Sequence, residues 1–186
     1  LLKGVETDIE WAVETIKGQK LARDIRTGAD VDPNIPASDR LNNRLTKFML
    51  TVIDKETYLK MFQEFGGEIQ GNTAYMDPGE ESEAFSQWVI HDKKAPGSSE
   101  VVIKLFAQKE MNNLPPDEQS LLKSYQQDWP SIFQVVKINK KKSIYSVKDL
   151  LSGKELRFRD KSTSKTLTNG SIFIGRAIPT GEDLYY

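Results

Sequence analysis

A chain of 186 residues, 38% hydrophobic and 28% charged, is long enough to bury one sizeable core or two small ones and too apolar for a disordered polymer. Its 26 Lys/Arg and 27 Asp/Glu leave a formal net charge of -1, and the absence of cysteine excludes disulfide frameworks, thiol catalysis and cysteine-ligated zinc. No apolar run approaches the roughly 20 residues needed to span a bilayer, and Leu1-Leu2 leads into Glu6, Asp8 and Glu10 instead of a signal-peptide core, so a cytoplasmic chain with no membrane partner is expected.

In chain order, the first 130 residues carry apolar residues at three- and four-residue spacing behind polar caps, the pattern of amphipathic helices. Thr7 and Glu10 form a capping box ahead of Ile9, Ala12, Val13 and Ile16. After the break Asp32-Pro33-Asn34-Ile35-Pro36, Ser38 or Asp39 is expected to cap a helix whose Leu41, Leu45, Phe48, Met49 and Val52 share a face. Asp54 to Glu56 starts a shorter helix with Tyr58, Leu59, Phe62 and Phe65, stopped by Gly66-Gly67. Residues 66–82 read as a loop, Ser82 opens a helix through Phe85, Trp88 and Val89, and Ser98 or Ser99 opens another through Val102, Leu105 and Phe106. Pro115-Pro116 suit the first turn of a last helix carrying Leu121, Leu122, Tyr125 and Trp129.

At Trp129-Pro130 the period shortens to two. Ile132 to Ile138, Tyr145 to Val147, Glu155 to Arg159, Ser171 to Ala177 and Leu184 to Tyr186 then read as five short strands. The expected fold is α+β: a helical domain over residues 1–130 followed by a small antiparallel β-barrel, SH3-like or OB-like, over residues 131–186, with Trp129 buried at the joint. Residues 131–186 hold eleven Lys/Arg against five Asp/Glu, so the barrel is basic and the helical part acidic.

From Phe85 onwards the order of features resembles bacterial hypothetical proteins that carry a SEC-C motif, the zinc knuckle named after the SecA translocase C-terminus. The resemblance rests on Phe85, Trp88 and Asp92, on Leu114 to Tyr125, on Ser131 to Val135, on the run Asp149-Leu150-Leu151-Ser152-Gly153-Lys154-Glu155, and on Ile174-Gly175-Arg176. It implies no activity, because the family is described by its motif. The knuckle itself is absent from this cysteine-free sequence; one would have to lie outside it, and the start at Leu1 rather than Met reads as a piece of something longer.

Candidate chemistry is sparse. His91-Asp92 is the one place where a carboxylate could orient an imidazole, and reads as a helix-end histidine beside a capping acid. Asp30, Asp32 and Asn34 copy the start of a calcium loop, but Ile35 stands where the loop needs glycine, and the cluster Asp77, Glu80, Glu81 and Glu83 reads as a solvated helix start. Isolated glycines form no phosphate-cradling loop. No metal or other cofactor is expected. The remaining material is basic: Lys140, Lys141 and Lys142 in a hairpin, and Arg157 and Arg159 on one sheet face by their two-residue spacing, with Tyr145 and Phe158 as candidate stacking surfaces. The leading expectation is a non-enzymatic binding or adaptor protein that holds a protein or nucleic acid through these five residues, its oligomeric state left open. The alternative is an enzyme with a site between the two domains built from His91, Asp92, Asp128 and Arg176.

Overall fold

The computed structural model describes residues 35–70, 73–75, 80–181 and 184–185. The capping box at Thr7 and the calcium-like Asp30, Asp32 and Asn34 lie outside them. The chain divides into two compact units, one ending at Gln119 and the other spanning Ser120–Tyr186. No described helix is long and apolar enough to cross a membrane.

In the first unit, α1 (Ala37–Val52) starts two residues earlier than a Ser38 cap implies and three earlier than an Asp39 cap. Extended Pro36 occupies the cap position, and its carbonyl accepts from the N–H groups of Asp39 and Arg40, which leaves Ser38 and Asp39 within the first turn. Leu41, Leu45, Phe48 and Met49 are buried, as their spacing requires. Asp54 caps α2 (Lys55–Glu64), with Oδ1 accepting from the Thr57 N–H at 2.9 Å and Oδ2 from its hydroxyl at 2.8 Å. Gly66 ends that helix at φ 106°, a left-handed conformation that costs glycine nothing. Helices α3 (Glu80–Asp92) and α4 (Val102–Glu110) complete an aromatic core in which Phe106 meets Phe48 edge-on at 5.3 Å and Phe85 meets Phe62 at 5.5 Å.

The expected all-helical character fails between α2 and α3. Strands β1 (Glu68–Gln70) and β2 (Thr73–Tyr75) pair antiparallel in the stretch read as a loop. Paired Gln70 and Thr73 are separated by the sequence Gly71-Asn72, a two-residue combination of the hairpin kind, but the flanking strands are too short to show a period of two.

Helix α5 (Pro116–Tyr125) begins at the proline position that its sequence indicates. Its first turn contains Glu118, which is fully buried and joins two buried arginines of α1: Arg40 Nε donates to Oε1 at 2.7 Å, and Arg44 Nε lies 2.9 Å from Oε2. Arg40 also donates to Asp117 Oδ2 at 2.6 Å and to the Ile35 carbonyl at 2.5 Å, and its guanidinium holds the Asp117 carboxyl below the usual carboxylate range.

The second unit is a six-stranded sheet of order β6-β3-β4-β5-β8-β7, formed by β3 (Trp129–Asn139), β4 (Ile144–Asp149), β5 (Glu155–Arg159), β6 (Ile172–Ala177), β7 (Pro179–Gly181) and β8 (Leu184–Tyr185). A single helical turn, α6 (Thr163–Thr166), interrupts the β5–β6 connection. Neighbouring strands are antiparallel except β5 and β8, which pair in parallel.

The expected antiparallel barrel is thereby corrected to an open, strongly curled sheet. A flat sheet of this order would hold β6 and β7 five strand spacings apart, about 24 Å. Only Ile178 separates them in sequence, and two residues of chain reach at most about 7 Å, so the two ends of the sheet must meet. The ring of Trp129 on β3 accordingly lies edge-on to Tyr185 on β8 at 5.6 Å. No ladder joins β6 to β7, because a strand that turns a corner cannot hydrogen-bond to its own continuation. Phe133, Val135, Tyr145, Val147, Leu156, Phe158 and Ala177 fill the inside of the curl, while Trp129 is half-buried at its rim.

Asp149 sets the geometry of this unit. Nearly fully buried, it accepts at Oδ1 from the Ser131 hydroxyl at 2.6 Å and from the N–H groups of Leu151 at 2.9 Å and Ser152 at 3.1 Å, and Trp129 Nε1 lies 3.4 Å from Oδ2. Its carbonyl accepts from Gly153 and its N–H donates to Lys154, so one residue closes the β4–β5 turn, with Gly153 at φ 75° completing it. The Ser131 hydroxyl, aided by Ser152 and Leu151 and opposed by burial, holds the carboxyl well below its usual range.

Two expected outcomes follow. Glu118→Ala takes from Arg44 its carboxylate and leaves Arg40 only Asp117 and the Ile35 carbonyl, and should cost about 3–5 kcal/mol, read as a lower urea midpoint for the helical unit. Asp149 is depressed in the folded state, so its stabilisation is complete above the ordinary carboxylate pKa of about 4 and is lost as pH falls below it. Asp149→Asn should therefore lower the urea midpoint at pH 7 and make progressively less difference as the pH is taken below about 4; an equal gap at all pH values contradicts the assignment.

Candidate binding face of the sheet

Alternation along the strands sends Leu156 and Phe158 into the core and Glu155, Arg157 and Arg159 out to solvent. Across β4, Arg157 stands opposite Ser146 and Arg159 opposite Ile144, on the convex side of the curl. A bulge in β3 between Val135 and Lys137 breaks the alternation there. In a regular strand Lys137 would share the inward face of Phe133 and Val135. The extra residue turns it outward, opposite Ser146, so that Lys137 and Arg157 flank one serine from both sides, about 9–10 Å apart across two strand spacings.

Lys140, Lys141 and Lys142 are all exposed in the turn between β3 and β4. The turn is closed by Lys142 N–H to the Asn139 carbonyl at 3.2 Å, and it leaves through Ser143 at a left-handed φ of 54°. The Ser143 carbonyl accepts from the Asp160 N–H at 3.1 Å, which places Arg159 at the same end of the sheet as the three lysines. The five expected residues are therefore brought together, and Lys137 joins them. Among the described residues none of the six makes an ion pair; Lys140 Nζ reaches only the Lys165 carbonyl, at 3.4 Å.

The expected stacking surfaces are not available. Tyr145 and Phe158 are buried and stack on each other inside the curl, centroids 5.5 Å apart at 14°. Burial, reinforced by Asp160, pushes the Tyr145 phenol up to about 12. Both residues occupy inward positions of their strands, which the alternation through Arg157 and Arg159 already required.

Among the described residues of this unit the large exposed apolar side chains are aliphatic. Ile172 is 61% exposed and Ile174 82%, both on the end strand β6, and Val136, Leu150 and Leu151 are exposed as well. Ile132 faces Ile174 across the β3–β6 ladder, and the Leu150 N–H donates to the Ile132 carbonyl at 2.8 Å.

The residues of the alternative enzyme reading lie two in each unit. His91 is buried and Asp92 exposed at the end of α3, while Arg176 Nη1 pairs with Asp128 Oδ1 at 3.1 Å. Glu81 and Glu83 are exposed in the opening turns of α3, Asp77 lies outside the described residues, and no described group of three or more His, Cys, Asp or Glu is placed to hold a metal ion.

No curated protein and no solved structure matches the chain. A family match covers residues 37–183, from the first residue of α1 to just short of β8 and so across both units, and on that span the chain belongs to the family of unknown function DUF7986.

Proposed function

We propose that this protein is a non-enzymatic binding module that holds an anionic macromolecule against the basic end of its curled sheet, with nucleic acid and acidic protein as the candidate partners. One observation carries the reading: Lys137, Lys140, Lys141, Lys142, Arg157 and Arg159 converge at one end of the sheet, exposed, with no carboxylate among the described residues paired to them. Six cations held close together repel one another, and an anion relieves that repulsion. Arginine supplies a planar fork for carboxylate or phosphate, and lysine a mobile point charge. A solvated solubilising edge is the ordinary use of single lysines, but here the bulge at Val136 spends a ladder position to bring Lys137 to the same face.

Binding driven by these charges must weaken with salt. For a mixed-sequence single-stranded oligonucleotide, each phosphate contact contributes roughly 0.7 to the log–log slope, and for a duplex roughly 0.9. Polyglutamate and both oligonucleotides, titrated by fluorescence anisotropy at about 50 mM and about 200 mM salt, should each bind more weakly at the higher concentration. The triple change Lys140→Glu, Lys141→Glu and Lys142→Glu should weaken binding and flatten the slope. Salt-insensitive binding, or full binding by the triple variant, removes the reading.

A further inference from the structure

We infer that the partner is an acidic protein segment carrying aliphatic side chains, laid across the convex face of the sheet from β6 to β5. This rests on the binding-module reading above and names what the module takes. The register puts two kinds of side chain on that face. Ile174 and Ile132 stand opposite each other, and the next row out is Ile172, Gln134, Lys148 and Glu155. The row beyond holds Lys137, Ser146 and Arg157, followed by Asn139, Ile144 and Arg159. The face is thus apolar at its β6 corner and cationic towards β5 and the lysine turn.

The cations suit phosphate and carboxylate alike, and it is the apolar part of that gradient that points away from a nucleic acid and towards a protein. Single strands are held by base stacking on aromatic rings, and the Tyr145 and Phe158 rings are buried. What is exposed instead is isoleucine, which offers a base no stacking but packs well against Leu, Ile or Val. The exposure is also unusual for an end strand. At the other end of the sheet, β7 is three residues long, opens with Pro179 and closes with Gly181, the ordinary means of blunting an edge. β6 is twice as long, has no lysine or proline, and leaves Ile172 and Ile174 in water. An apolar corner followed across the face by cations with no ion pair among the described residues is complementary to a segment that is aliphatic at one end and acidic at the other. From β6 to β5 is three strand spacings, about 14 Å, which about ten helical residues cover.

The test uses the full chain and two synthetic peptides of about twelve residues. One is built of glutamate and leucine at helical spacing; the other has serine at every leucine position and the same charge. The leucine peptide should bind about tenfold more tightly than the serine peptide. Ile172→Ser with Ile174→Ser should abolish that preference while leaving oligonucleotide binding and the melting temperature unchanged, since both side chains are mostly solvated already. Lys137→Glu with Arg157→Glu should weaken both peptides. Equal binding of the two peptides, or a leucine preference that survives the double isoleucine change, overturns the inference. So does an oligonucleotide that binds more tightly than the leucine peptide, or a dimer that the isoleucine changes dissociate in sedimentation, since either gives the face to another occupant. If charge reversal has no effect on any probe, the binding-module reading itself has failed; if charge reversal acts and the isoleucines do not, only the acidic aliphatic partner is lost.

Discussion

The sheet unit depends on one buried carboxylate. Asp149 takes hydrogen bonds from the start of β3 and from the turn after β4, and so ties the first strand of the sheet to the hairpin that follows it. A carboxylate in an apolar interior is costly unless its lone pairs are filled, and here the donors come from a hydroxyl and two backbone N–H groups whose own alternatives would be water. Because Leu150 also donates to the Ile132 carbonyl, the turn is fixed both to its own hairpin and to β3. The orientation of β4 and β5, and with it the placing of Arg157 and Arg159, is inherited from this arrangement. The run Asp149 to Glu155, the most distinctive stretch in the sequence, is therefore distinctive for a structural reason: an aspartate that caps its turn, a serine within reach, and a glycine to close it.

What could be read from the sequence was whatever depends on neighbours close along the chain. The stripe Leu41, Leu45, Phe48 and Met49, the Asp54 cap, the Gly66 stop and the prolines at the start of α5 are local signals, and each lies where its chemistry requires. The features that were missed are set by partners far away. Nothing at Arg40 announces a buried ion pair with Glu118, 78 residues on, since an arginine on a helix normally marks the solvent side. Curling against closure was equally invisible, because the spacing of strands is the same for both, and only the missing ladder between the end strands β6 and β7 distinguishes them.

The candidate face divides in the same way. The lysine turn is legible as three consecutive charges between two strands, and the arginine pair as a two-residue alternation. That same alternation, followed one residue further, puts Tyr145 and Phe158 inside and so removes the rings that a stacking interface would need. Lys137 could not have been found, because a bulge leaves no mark in a stretch as apolar as Phe133 to Ile138, yet it is the residue that completes the row through Ser146 and Arg157.

The corner at Ile178 has a kinetic meaning. The hairpins β3–β4 and β4–β5 join residues near in sequence and can form early, whereas β6 must find β3 about 40 residues back and β8 must find β5 about 27 residues back. These two long closures are not independent, because β6 and β7 are consecutive lengths of the same strand: once β6 docks, β7 and β8 are delivered to the opposite end. The curl is thus tied to one coupled closure, and the isoleucine corner, which needs Ile174 opposite Ile132, is assembled only where β6 has docked on β3.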